Sequence, residues 1–207
     1  MKYNTEQEEF WAGKFGNDYI DRNKDVQNIA SNLFLFSNAL KNTSAINSII
    51  EFGANVGLNL LALHNLFPKS KISAVEINKL ACRHLNKYKW IKVHNESILN
   101  FSVKEKYNLV FTKGVLIHIS PNELDKVYKK LFELSNKYIL IAEYYNPTPV
   151  ELNYRDNKGK LFKRDFCGDI LKKYSSLELI DYGFIYHRDN NFPQDDLNWF
   201  LIRKGSK

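Results

Sequence analysis

Cysteine is nearly missing from this chain of 207 residues: Cys82 and Cys167 are far apart, and neither belongs to a Cys-x-x-Cys or Cys/His ligand spacing. That excludes a disulfide framework and a structural zinc site, and it fits a reducing compartment, so a cytoplasmic protein without a metal is expected. Nowhere do roughly 18 apolar residues run together, and the start MKYNTEQEEF has neither a basic and then apolar leader nor an Arg/Ser-rich amphipathic character. No membrane span and no targeting segment are therefore expected. Repeats, low-complexity tracts and Pro/Gly/Ser linkers are missing as well, which leaves one domain over residues 1–207.

What is present is a core. The content is 44% hydrophobic and 14% aromatic, enough to bury the interior of a single domain of this length. The net charge of +7 suits an anionic partner, either nucleic acid or a small acidic molecule, although Lys is also the ordinary solubilising residue of an α/β surface.

Short apolar runs alternate with helical patterns. The runs INSIIEF, KISAVEI, WIKVHN, YNLVFTK and KYILIAEYY read as strands buried on both faces of a parallel sheet, and PNELDKVYKKLFELS is one of the helices between them. LELIDYGFIYH and NWFLIRK have only RDNNFPQDD between them, too short for a crossover helix, so they pair antiparallel. The expected fold is α/β: a seven-stranded, mostly parallel, doubly wound Rossmann-like sheet ending in an antiparallel hairpin, which is the layout of class I methyltransferases.

The stretch EFGANVGLN lies between the first strand and a helix. A P-loop would require a Lys after Gly57, and a dinucleotide site would require glycine where Asn55 and Leu58 stand. The pattern acidic-x-Gly-x-Gly-x-Gly is met by Glu51, Gly53 and Gly57, with Asn55 in the middle position, and suits S-adenosylmethionine, whose sulfonium carries no pyrophosphate. Glu76 ends the second strand nineteen positions after Gly57, where an acidic side chain can accept from both ribose hydroxyls. Adenine would then lie between Ile77 and HNESILNF, with Glu96 or Ser97 at its amino group and Ile98 on its face, while Lys113, Gly114 and Val115 line the cofactor's edge.

His118 is either a general base or a packed residue starting the next helix. Trp11, Phe15 and Tyr19, spaced by four, share a helical face that is either core or, over residues 5–42, a lid. In that lid Arg22, beside Asn23, would clamp the cofactor carboxylate. The acceptor site is expected over the ends of strands four and five, among Tyr19, His118, Glu143, Tyr144 and Tyr145. Tyr154, Arg155, Lys163, Arg164 and Asp165 arrive from the following loop and helix. Glu143 would serve an amine or amidine acceptor and His118 a hydroxyl. Arg155 and Arg164 would clamp an acidic group, with an Arg164–Asp165 pair as the alternative.

The blocks FWAGKFGNDYIDRN, EFGANVGLNL, GVLIHISPNEL, EYYNPTPVELNYRDNKGKLFKRDF and DDLNWFLIRK together resemble the bacterial pseudaminic acid biosynthesis-associated methylase family, from about residue 5 to residue 204. The resemblance implies an S-adenosylmethionine-dependent methyltransferase acting on a nonulosonic acid, an acidic nine-carbon sugar, or on its nucleotide conjugate, with N-methylation expected. The alternatives are O-methylation of another small molecule and methylation of nucleic acid. Against the last, the Asn/Asp-Pro-Pro-aromatic motif of base-amino methylation is missing after the fourth strand, where TKGVLIH stands, and neither cysteine ends a strand.

Overall fold

The computed structural model describes residues 3–22 and 27–205. Asn23, expected beside the cofactor, lies outside the described residues.

Two short helices open the chain. α1 (Glu6–Ala12) is started by a capping box in which Thr5 and Glu8 satisfy each other's backbone N–H, and Gly13 ends it; α2 (Lys14–Arg22) follows. The expected continuous face of Trp11, Phe15 and Tyr19 is therefore split between two helices. The rings meet all the same: Trp11 stands edge-on to Phe15 at 5.5 Å and to Tyr19 at 5.2 Å.

α3 (Gln27–Leu40), β1 (Ser48–Phe52), α4 (Leu58–Leu66), β2 (Lys71–Glu76), α5 (Lys79–Leu85) and β3 (Ile91–Asn95) come next. They are followed by β4 (Tyr107–Lys113), α6 (Leu124–Leu134), β5 (Ser135–Glu143), β6 (Val150–Tyr154), β7 (Asn157–Lys163), α7 (Phe166–Lys173), β8 (Leu177–Ile185) and β9 (Leu197–Lys204). The main sheet has the order β3-β2-β1-β4-β5-β9-β8; its first five strands are parallel, and β9 runs antiparallel to both of its neighbours.

Side-chain alternation in the strands divides the core into two layers. Ile49, Leu109, Phe111 and Leu140 pack with α3 and α4 on one face, whereas Ile50, Val110, Ile139 and Ile141 pack with α6 and α7 on the other. Leu35, Phe36, Ala39 and Leu40 of α3 are buried in the first layer, so α3 is a core helix and the covering segment is α1 with α2.

One element departs from the expectation. The stretch after β5 is a β-hairpin, β6 with β7, where a loop and helix were expected, and Lys158 and Lys160 lie on a strand. Its two-residue turn has positive φ at both Arg155 (47°) and Asp156 (65°), the signature of a type I′ turn. The hairpin buries Leu161 in the second core layer and lies against the short turn Leu116–His118 after β4.

Candidate active site

The turn from β1 into α4 is left-handed at Gly53 (φ +74°), Asn55 (+47°) and Gly57 (+90°). Gly53 N donates to Val75 O at 2.8 Å, which clips the turn to β2. A Cβ on Gly53 would stand 2.6 Å from Val115 Cγ2. On Gly57 it would stand 2.7 Å from Leu85 Cδ2, and Gly57 is not in the cavity wall, so its need for glycine comes from packing on α5 rather than from a ligand.

Glu76 is the keystone of this corner. Its Oε2 accepts from Asn55 N at 2.7 Å and its Oε1 from Asn78 N at 2.7 Å, so one buried carboxylate joins the glycine turn to the start of α5. Burial pushes the carboxyl up, and the N–H groups of Asn78, Asn55 and Ile77 oppose that. Asn78, which the sequence reading passed over, caps α5 through its side-chain oxygen and donates its Nδ2 to Trp11 O (3.1 Å) and Asn17 Oδ1 (2.9 Å). The floor of the site and its cover therefore meet at one residue.

A cavity of about 360 Å³ lies over the carboxyl ends of β1, β2 and β4, the size of a small-molecule site. Gly53, Asn55, Glu76 and Ile77 line its floor, Ser97 and Ile98 one end, Lys113, Gly114, Val115 and His118 the other, and Trp11 and Tyr19 its roof. Ser97 Oγ donates to Glu8 Oε1, so α1 reaches the end expected for adenine, and Glu96 does not line the cavity. The roof is also tied to the hairpin, by Gln7 Nε2 donating to Gly159 O at 2.8 Å and by a Lys160–Glu6 ion pair at 3.1 Å.

On the α3 face, Glu51 Oε1 accepts from Asn59 Nδ2 at 2.6 Å while its buried Oε2 has no partner, and the buried indole N–H of Trp11 is also unpartnered. Burial pushes Glu51 up to about 8 and Lys113 down, each opposed by the other's charge. The folded state thus keeps a proton that the unfolded chain releases near pH 4.5, and Glu51's contribution lowers stability as pH rises from there to about 8. Glu143, raised to about 7, acts in the same direction, and His118, lowered from 6.5 to about 4, in the opposite one below 6.5. Glu51→Gln is therefore expected to gain on the wild type as pH rises across that window, by up to about 1.4 kcal/mol per pH unit. Melting temperatures at pH 5 and pH 8 check this, and a constant gap would refute it.

Several expected site residues are elsewhere. The Glu143 carboxylate accepts from Val115 N and Leu116 N, each at 3.0 Å, with burial complete: it anchors the turn after β4 and is not in the cavity wall, so the general-base role is withdrawn. Tyr145 is 39% exposed, with its ring 6.1 Å from that of Phe200, and does not line the cavity. Arg22 is exposed, its guanidinium 5.3 Å from the Phe15 ring centroid and outside the cavity. Arg164 pairs with Asp169 at 2.6 Å, while Asp165 caps α7, so Arg164 is not an acceptor clamp. Lys163 lies over the Tyr144 ring at 4.9 Å.

His118 does reach the cavity, but as a pinned ring between Trp11 (4.6 Å) and Tyr154 (4.8 Å). Its Nδ1 lies 2.6 Å from Lys160 O, and since a carbonyl only accepts, Nδ1 carries the proton. Burial lowers the imidazole to about 4, making it a weak base.

The whole chain superposes on solved methyltransferases of low sequence identity. The plantazolicin methyltransferase BpumL in complex with SAH, S-adenosylhomocysteine, is 14% identical, with a TM-score of 0.66 over 96% of this chain and 95% of that one. The 1,6-didemethyltoxoflavin-N1-methyltransferase of Burkholderia thailandensis with bound S-adenosylhomocysteine is 11% identical, at 0.69 over 93% and 86%. The glycopeptide N-methyltransferase MtfA is 11% identical, at 0.62 over 86% and 95%. The fold is that of the class I methyltransferases. No family model and no curated protein matches the sequence.

In this methyltransferase fold the loop between β8 and β9, read from sequence as a plain connection, supplies Asp195 to the cavity wall. Asp195 lies within electrostatic reach of Tyr144, Tyr19 and Lys113. Tyr154 and Arg155 of the hairpin also act on Tyr19, whose hydroxyl is pushed up to about 12, chiefly by burial. Of these residues, Tyr19, Lys113 and Asp195 line the cavity. Among the described residues no group of His, Cys, Asp and Glu could hold a metal ion, and no helix is long and apolar enough to cross a membrane. Burial pushes both thiols up to about 12, so Cys82 and Cys167 are inert.

Proposed function

We propose that the protein is an S-adenosylmethionine-dependent methyltransferase of a small molecule. The observation that carries this reading is the buried Glu76 carboxylate, joined to the glycine turn and facing a cavity of cofactor size. Glu76 would accept from the ribose hydroxyls. Ile77 and Ile98 would flank the adenine, with Glu8 and Ser97 at its polar edge. Lys113, in place of Arg22, would hold the methionine carboxylate, whereas Glu51, buried and held by Asn59, does not line the cavity. The orphaned Trp11 N–H is a further donor to this space. When bound, the cofactor supplies an electrophilic methyl group on sulfur, so the chain's own work is to orient the acceptor, exclude water and pass on one proton.

The acceptor in this reading is a nonulosonic acid or its nucleotide conjugate, methylated at nitrogen. Support comes from the sequence blocks that resemble the pseudaminic acid methylases and from Arg155, an exposed cation of the hairpin turn within electrostatic reach of Tyr19. The N-methyltransferases among the similar structures support the choice of nitrogen. Calorimetric titration is the test: S-adenosylhomocysteine binds and NAD does not. Tritiated cofactor labels small acidic sugars and leaves tRNA, rRNA and DNA unlabelled; the reverse distribution sinks the assignment.

The roof gives a further prediction. Removing residues 1–22 deletes Glu8, Trp11 and Tyr19 from the cavity and is expected to weaken S-adenosylhomocysteine binding at least tenfold, about 1.4 kcal/mol. The core layers lie outside that segment, so cooperative unfolding is retained. Equal affinity after truncation would return the aromatics of α1 and α2 to a packing role.

A further inference from the structure

Resting on the methyltransferase reading, we infer that the acceptor presents a basic nitrogen, an amine or amidine, and that Asp195 takes its N–H groups. The adjacent aspartates of the β8–β9 loop have separate tasks. Asp196, in a left-handed conformation (φ +48°), accepts from His187 N and contacts His187 Nδ1, both at 2.9 Å, and so closes the loop. Asp195 faces the cavity instead, and among the described residues no Lys, Arg or His stands within ion-pair distance of it. Within its electrostatic reach are the phenols of Tyr144 and Tyr19 and the more distant Lys113 ammonium. An exposed carboxylate in the cavity wall, with phenols near it and no ion-pair partner among the described residues, can receive a nitrogen cation.

The loop that carries Asp195 is built to hold it still. Phe192 stacks on Phe34 of α3 at 4.8 Å, and Asp189 Oδ1 accepts from Asn191 N and Phe192 N at 2.9 and 2.7 Å. On the other side Asp196 is fixed by His187. Asp195 is therefore clamped from both directions, a rigid placement that a plain surface connection does not need.

Transfer is also better served at nitrogen. The acceptor nitrogen sheds one proton to water at the cavity mouth, and its lone pair forms the N–C bond as the C–S bond breaks and leaves its electron pair on sulfur. Positive charge thus moves from sulfur to nitrogen, arriving beside the Asp195 carboxylate. A hydroxyl acceptor would instead need a base to take its proton, and the His118 imidazole in the wall is a weak one.

The test separates this inference from the reading beneath it. Full-length protein with tritiated cofactor is given the small-molecule fraction of a cell extract, and products are split on a strong cation exchanger at acid pH. Label is expected in the retained, basic fraction. Asp195→Asn is expected to slow that labelling about tenfold, the rate equivalent of one charge-assisted hydrogen bond, while it still binds S-adenosylhomocysteine. Absence of label from the retained fraction, or an Asp195→Asn variant as fast as the wild type, overturns the inference and leaves the methyltransferase reading in place wherever S-adenosylhomocysteine binds. Failure of the wild type to bind S-adenosylhomocysteine removes both.

Discussion

Glu76→Ala is expected to bind S-adenosylhomocysteine on the order of a hundredfold more weakly than the wild type, about 3 kcal/mol from two charge-assisted hydrogen bonds to the ribose at roughly 1.5 each. The substitution also removes the acceptor for Asn55 N and Asn78 N, so the glycine turn and the cap of α5 lose their common anchor. A fall in melting temperature should therefore accompany the lost affinity. Glu76→Gln keeps the shape but turns an N–H donor toward one of those backbone N–H groups, and it should fall between alanine and wild type in affinity. Calorimetry on the three proteins checks the order. Unchanged affinity in Glu76→Ala would move the ribose away from β2 and take the proposed cofactor pose with it.

The mid-sheet strands were legible in the sequence as continuous apolar runs. YNLVFTK coincides with β4 residue for residue, because a strand in mid-sheet has apolar partners above and below and reads as a continuous run. The β6–β7 hairpin gave no such run. Its first strand is exposed for four of five residues, and its turn is made by Arg155 and Asp156 without the Asn-Gly or Asp-Gly pair that advertises a type I′ turn. The hairpin's position depends on contacts distant in sequence, such as His118 with Lys160 O and Gln7 with Gly159 O.

The site residues divide on similar lines. Gly53, Asn55 and Glu76 were legible because the spacing from strand end to turn to strand end is local, whereas Glu51 falls outside the cavity lining. Glu143 also ends a strand, yet strand alternation places it with Ile139 and Ile141, toward the α6 and α7 layer, whereas Glu51 and Lys113 follow Ile49 and Phe111 toward α3. That parity is written in the sequence, but which layer borders the cavity is not. Asp195 carried no signal beyond being one of three acids in a polar connection, and the three-dimensional course of the loop is what brings it over the site. Glu8 went unread in the sequence; the Thr5-x-x-Glu8 capping box it completes marks a helix start and says nothing of the cavity its carboxylate reaches.

The two glycines of the turn should separate in experiment, although the sequence motif treats them alike. Gly57→Val places a β-branched side chain at φ +90° with its Cβ 2.7 Å from Leu85 Cδ2, a fully buried atom neighbour in the first core layer. Backbone strain of roughly 1–3 kcal/mol and overpacking of a similar size add, so a loss of about 3 kcal/mol or more is expected, a large part of the stability of a domain. At about 2–4 °C per kcal/mol for a chain of this length, the melting temperature should fall by roughly 10 °C. The protein that remains folded should still bind S-adenosylhomocysteine, because Gly57 is not in the cavity wall. Gly114→Ala is the comparison: its φ of +64° is strained, but a Cβ there meets nothing within 4 Å, so its loss is confined to the backbone term and should be about 1 kcal/mol. A Gly57→Val protein that melts with the wild type yet fails to bind would place that glycine against the ligand, and would mean that the α4 and α5 ends part to admit it.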